Sequence, residues 1–168
     1  MPQNKIKKCL EEGAKGDERH QGLRRVSPND ELAKKHLTKA LHNLEAMTAL
    51  HDLHYSDWSA STAFYTIYHG LLAVLARYGY ESRNQFCTLS LIEEFIKEGK
   101  LKHLTLTDVK EIFDKNTDQD LEHSSKILDI RERMQYSVKT SLAEEEFQLL
   151  KKRTKALFDK IRLDLEEE

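Results

Sequence analysis

The chain has 168 residues, room for one domain and too few for two of ordinary size. With 39% hydrophobic and 33% charged residues it has the material for a packed core and is not a disordered chain, and with only 6 Gly and 2 Pro it is no turn-rich β sandwich. The formal net charge of -2 excludes a global field that would gather polyanions, although residues 1–42 hold ten Lys/Arg against six Asp/Glu.

In chain order, residues 1–28 read as an N-terminal appendage, partly flexible. A short helix is expected around Lys5–Glu12. Gly13, Gly16 and Gly22 then break it, and Arg24-Arg25-Val26-Ser27-Pro28 reads as extended chain before a proline. Residues 29–168 read as a helical bundle. Asn29 or Asp30 caps a first long helix with the stripe Ala33, Leu37, Ala40, Leu41, Leu44 and Met47, ending near His54-Tyr55. Ser56 and Asp57 are suited to cap a second helix, Trp58 to about Tyr78, which Gly79 stops. It carries two apolar stripes, Phe64, Ile67, Leu71, Val74 and Tyr78 on one side and Tyr65, His69, Leu72 and Leu75 on the other. A helix apolar on two faces belongs at the centre of a fold.

After a polar connection at residues 80–86, a third helix is expected at about Thr88–Lys97, with Gly99 ending it. Leu101–Thr107 reads as a loop, with Thr107 or Asp108 capping the next element. That element begins with Val109, Ile112 and Phe113, pauses at Asn116–Asp118 and resumes through Leu121, Ile127, Leu128 and Met134. A last helix shows Phe147, Leu150, Thr154, Leu157, Phe158, Ile161 and Leu165 in register. No strand alternation of useful length is present. The expected fold is all-α, an antiparallel up-and-down bundle of four to five helices.

No window approaches about 18 consecutive apolar residues, and the N-terminus lacks the apolar core of a signal peptide. The expectation is a cytoplasmic protein with no membrane partner. Cys9 and Cys87 form no CxxC or Cys/His pattern; Cys87 reads as a small apolar residue and Cys9 carries no signal. Phosphate-loop, dinucleotide, zinc-protease and serine-hydrolase motifs are absent. His51 and His54 lie one helical turn apart, near Asp52 and Asp57, but a third ligand is hard to place, so neither a metal site nor a cofactor is expected.

Arg131 does not fit its pattern. It follows Ile127 and Leu128 by four and three, so it projects from an inward stripe and requires a carboxylate, a phosphate or a partner face. Asp57 and Asp129 are its candidate ion-pair partners. Glu132, Arg133 and Tyr136 follow. Arg suits bidentate phosphate contact, and Tyr stacks on bases or donates a hydrogen bond.

The run Ser56-Asp57-Trp58-Ser59-Ala60-Ser61-Thr62-Ala63-Phe64-Tyr65-Thr66-Ile67-Tyr68-His69-Gly70-Leu71-Leu72, with Tyr78-Gly79-Tyr80-Glu81-Ser82 after it and Ala33, Ala40 and Leu44 before it, resembles the HEPN domains, the "higher eukaryotes and prokaryotes nucleotide-binding" helical bundles. The likeness covers roughly residues 30–165. The family's signature is an Arg, four to six variable residues and a His near the end of the last core helix. Arg131 matches the Arg, Glu132 occupies the polar position that often follows, and Tyr136 stands where the His would be, as in some branches of the family.

The resemblance implies a bundle that binds nucleotide or RNA through Arg131, Glu132, Arg133 and Tyr136, and a homodimer with Arg131 of both subunits in one composite site. It also implies kinship to the toxin-like ribonuclease half of toxin–antitoxin pairs whose other member is a small nucleotidyltransferase. Any catalytic role would fall to Arg131 and Tyr136. A His titrating near 6.5 takes a 2′-OH proton at neutral pH, whereas a Tyr titrating near 10 is ionised there at roughly the 0.1% level. Five positions on a helix also separate side chains by about 140°, so Arg131 and Tyr136 do not converge within one chain. The competing reading is a catalytically silent protein-interaction module.

Overall fold

The computed structural model describes residues 2–113 and 127–166. The expected pause at Asn116–Asp118, the resumption at Leu121 and the last two glutamates lie outside the described residues. The elements are α1 (Pro2–Ala14), β1 (Leu23–Arg25), α2 (Asp30–Asp52), α3 (Ser56–Arg77), β2 (Tyr80–Ser82), α4 (Gln85–Lys97), α5 (Leu106–Phe113), α6 (Ile127–Tyr136) and α7 (Glu144–Glu166). Among the described residues the fold is all-α apart from one small ribbon, and α3 is its axis, touching α2, α4, α6 and α7.

Side-chain contacts set the directions. The Ser59 hydroxyl donates to the Met47 carbonyl at 2.9 Å while His69 meets His36, so α2 and α3 are antiparallel. Arg131 lies at Tyr65, and the Leu142 amide beyond α6 donates to Ser56 Oγ, so α6 also runs against α3. Helix α7 starts beside His51 and has Ile161 against Gly70, so it runs with α3 and against α6. A Cβ on Gly70 would come within 3.1 Å of Ile161 Cδ1, which is how closely α7 beds onto α3.

The α7 stripe is buried from Phe147 to Leu165, as its spacing requires. Each such side chain contributes about 1.5–3 kcal/mol by leaving water. On α3 the stripe of Phe64, Ile67, Leu71 and Val74 is buried too. The second stripe divides: Leu75 is core, but Tyr65 is exposed, and His69 and Leu72 are half-buried. Leu41, expected in the α2 stripe, is 44% exposed, because α2 presents only Ala33, Ala40 and Met47 fully to its neighbours.

The ends obey capping chemistry with some changes of residue. Asn29 and Asn84 accept from the amides of Leu32 and Cys87 and cap α2 and α4. Ser56 and Asp57 do not cap α3. They lie within its first turn, and Ser56 Oγ is taken by the Leu142 amide. At α5 the capping residue is Thr105, not Thr107 or Asp108. Thr105 Oγ1 accepts from the Asp108 amide, and the Asp108 carboxylate accepts from the Thr105 amide, a reciprocal box. The α2–α3 turn has the Schellman pattern, with the Tyr55 amide donating to the Leu50 carbonyl, the His54 amide to His51, and His54 itself at φ 67°.

The N-terminal arm is packed against the bundle. β1 pairs antiparallel with β2, Leu23 opposite Ser82, a three-residue ribbon too short to show as alternation in sequence. Gly13 continues α1 instead of breaking it, and a Cβ there would sit 1.8 Å from the Leu23 carbonyl oxygen. Arg24 closes the end of α1 through the carbonyls of Gly13, Gly16 and Asp17, so this cation is already engaged. Cys9 and Cys87, read from sequence as unrelated, form a disulfide that joins α1 to α4 across 78 positions. No helix among the described residues is long and apolar enough to cross a membrane.

Candidate functional site

Arg131 sits midway along α6, half-buried, where α6 crosses the middle of α3. Its guanidinium carbon lies 4.5 Å from the centre of the Phe64 ring and 5.2 Å from that of Tyr65, two rings set edge to face. Such stacking suits a planar, weakly hydrated cation. Nη2 donates a long hydrogen bond, 3.4 Å, to the Tyr65 hydroxyl, while Nε is buried and meets no acceptor. Among the described residues no carboxylate pairs with Arg131. Asp57, one of the partners considered from sequence, has a buried Oδ1 with no hydrogen-bond partner of its own.

The other residues singled out in sequence are placed differently. Arg133 forms an ion pair with Glu146 of α7, which ties the end of α6 to the start of that helix. Glu132 is half-buried on the same turn. Tyr136 ends α6 and is 81% exposed, with no hydrogen bond or ring contact to Arg131. Within one chain the structure therefore joins Arg131 to Phe64 and Tyr65, and not to Tyr136.

Beside Tyr65 a groove of about 410 Å³ runs between α2 and α3. Lys39, Asn43 and Leu50 form its α2 wall, and Trp58, Ser61, Thr62, Tyr65 and His69 its α3 wall. Among the described residues no carboxylate lines it. Its apolar body is the outer stripe of α3, which reads from sequence as core. The signal that separates the two is a polar-tipped ring at Trp58, Tyr65 and His69, with Ser61 and Thr62 between, in place of Leu or Ile.

At the upper end of the groove His69 Nδ1 lies 3.1 Å from His36 Nδ1, a hydrogen bond between α2 and α3 in which one ring donates. Burial lowers the pKa of both rings, and for His69 the neighbouring His36 and Lys39 lower it further. The pair thus favours its neutral form. At the other end of the bundle His51 is stacked on Phe147 at 3.8 Å, with Nε2 2.7 Å from Glu144 and Nδ1 3.3 Å from Asp52. His54 is exposed at the turn. Among the described residues no group of three or more His, Cys, Asp or Glu side chains is arranged to hold a metal ion.

Comparison with known proteins gives one family. The model of the HEPN domain matches residues 33–164, from the first turn of α2 to the last turn of α7, and includes every residue of the Arg131 site and its groove. No curated protein matches the chain.

Proposed function

The chain belongs to the HEPN domain family, and we propose that Arg131 is its phosphate-binding residue, holding a nucleotide or the backbone of an RNA strand. The observation that carries this reading is the state of the guanidinium. It is clamped on Phe64 and Tyr65, has a buried Nε without an acceptor, and is paired with no carboxylate among the described residues. A guanidinium kept for structure is normally neutralised, as Arg133 is by Glu146. A phosphate would supply the missing acceptors in bidentate geometry.

In this reading the protein is a homodimer, with a small nucleotidyltransferase as its partner protein. Glu132 and Tyr136 flank the ligand from the second subunit, and general-base catalysis is slight. Tyr136 is a poor base at neutral pH, and the hydrogen-bond partner of Arg131 among the described residues is the Tyr65 hydroxyl, not an imidazole. The alternative, a catalytically silent protein-interaction module, is favoured by the exposed apolar tip after α6, where Tyr136 is 81% and Val138 98% exposed.

Calorimetric titration with nucleotide and short RNA tests the proposal. Arg131→Ala should weaken binding by about 1–3 kcal/mol, the worth of a charge-assisted contact. If that variant binds normally and instead melts at a much lower temperature, Arg131 is structural and the interaction module replaces this reading. Tyr136→His tests the catalytic half: a gain of RNA cleavage places Tyr136 where a base would act.

A further inference from the structure

The groove between α2 and α3 has no part in the reading above except through Tyr65, yet its chemistry matches the ligand that Arg131 would hold. We propose that it is the base-binding half of the Arg131 site, in which Trp58 stacks a nucleobase of a single-stranded nucleic acid while Arg131 and Lys39 hold successive phosphates. The inference rests on the phosphate-binding role of Arg131.

Three observations carry it. The first is exposure without a partner. Trp58 is 61% exposed at the lower end of the groove and stacks on no other ring among the described residues, although it is the only tryptophan of the chain. An indole left in water at the mouth of a groove is a stacking surface, and every base has a face to offer it.

The second is charge. The chain has 29 acidic residues and a net charge of -2, but among the described residues no acid lines this groove. Its wall carries Lys39, its edge carries Arg131 against Tyr65, and His69 stays largely neutral beside them. Anionic ligands are favoured here by local groups, against the overall charge.

The third is length. Trp58 and His69 are eleven residues apart on α3, about 16 Å along the axis at the usual helical rise. Tyr65, with Arg131 upon it, lies between them, and Lys39 faces the His69 end. A base at Trp58, a phosphate at Arg131 and the next phosphate at Lys39 follow that order. Asn43, half-buried on the opposite wall, presents an amide that can both donate to and accept from a base edge.

The sole tryptophan makes the test direct. The full chain is titrated with hexa-adenylate RNA and with AMP. Trp58 emission is followed, and so, independently, is the anisotropy of the same strand carrying a 5′ dye. Saturable quenching of Trp58 is expected with the hexamer at lower concentration than with AMP. By anisotropy, Trp58→Ala should weaken hexamer binding by roughly tenfold or more, Trp58→Phe should keep most of it, and Lys39→Ala should reduce the salt slope by about one. Circular dichroism of each variant guards against a folding defect.

If the hexamer binds, binding is lost in Arg131→Ala, and yet Trp58 is unquenched and Trp58→Ala binds normally, the groove proposal is wrong and the Arg131 reading stands. If Trp58 is quenched and Arg131→Ala has no effect, the groove stands as a nucleic-acid site and the Arg131 reading falls. Tighter quenching by AMP than by the hexamer reassigns the groove to a free nucleotide. No binding by either readout overturns both.

Discussion

The guanidinium of Arg131 lies over the face of Phe64, carbon to ring centre 4.5 Å, with no carboxylate among the described residues to neutralise it. Phe64 is 1% exposed and belongs to the core, so the ring cannot move away, and the cation is held by the most rigid part of the fold. The charge stays available because the aromatic face stabilises it without occupying its hydrogen-bond donors.

Arg131→Lys follows as a test of that geometry. An ammonium keeps the charge but loses the planar stack and the paired donors, so phosphate affinity should fall nearly as far as in Arg131→Ala, by about 1–3 kcal/mol. Folding stability should change by no more than about 1 kcal/mol, because no ion pair with a described residue is broken. Titration calorimetry and thermal melts of the two variants check both halves. Full binding by the Lys variant would mean that charge alone, and not the guanidinium plane, is used.

The disulfide is the second test. Cys9 and Cys87 close a loop across 78 positions and fix α1 to α4, on which α1 also packs. Cys87→Ser should cost about 2–4 kcal/mol relative to the oxidised protein, mainly by freeing the unfolded chain. Hydrogen exchange should rise in α1 and β1 and stay low in α3 and α7. Intact mass without reductant checks the bond itself. A protein that carries two free thiols and shows the same arm protection would mean that the packing of Gly13 and Gly22 holds the arm unaided.

What was legible in the sequence, and what was not, divides along physical lines. The α7 stripe and the central place of α3 follow from periodicity, since burial of a helix face is a local pattern repeated over many turns. The site does not. That Arg131 points inward can be read from Ile127 and Leu128, but what meets it cannot. Phe64 and Tyr65 are more than sixty positions away, and only the crossing of α3 by α6 brings them there. For the same reason the outer stripe of α3 reads as core, although Tyr65 is 37% exposed, so Tyr65→Asp should disturb the groove more than the fold. Thr105 is missed as a cap because Thr107 and Asp108 offer the same chemistry two and three residues later. The disulfide is missed because two cysteines with no motif carry no information about their separation in space.

His54 provides a third prediction. It holds φ 67° at the position after the C-cap of α2, where glycine meets no steric penalty. Its ring is exposed, and the backbone bonds of the turn do not involve its side chain. His54→Gly should therefore stabilise the protein by about 0.5–1 kcal/mol, the left-handed strain removed being partly offset by the freer unfolded chain. A chemical-denaturation midpoint that moves down would show that the imidazole contributes more to the turn than its exposure indicates.

The last prediction concerns pH, where two histidine pairs act in opposite directions. His51 has its pKa raised, first by the hydrogen bond to Glu144 and then by Asp52. Its stabilisation is complete below the unfolded value near 6.5 and is lost as pH rises through the higher folded value. His36 and His69 have theirs lowered by burial, so their contribution is present above about 6.5 and is lost as pH falls through the lower folded values. Stability should then peak near neutrality and decline on both sides. His51→Gln should flatten the alkaline limb and leave the acid one, because it removes the group that loses its proton there. Replacing His36 by Asn should shrink the acid limb instead, since it removes one of the two half-buried rings that protonate there and, beyond the burial of His69, the charge that adds to its lowering. Denaturant titrations from pH 5 to 8 on the three proteins separate the limbs, and proton-resolved titration of His51 gives the sign directly. A His51 pKa at or below 6.5 would mean that the contact with Glu144, which is itself exposed, does not persist in solution, and that His51 is held at the start of α7 by its stack on Phe147 rather than by that hydrogen bond.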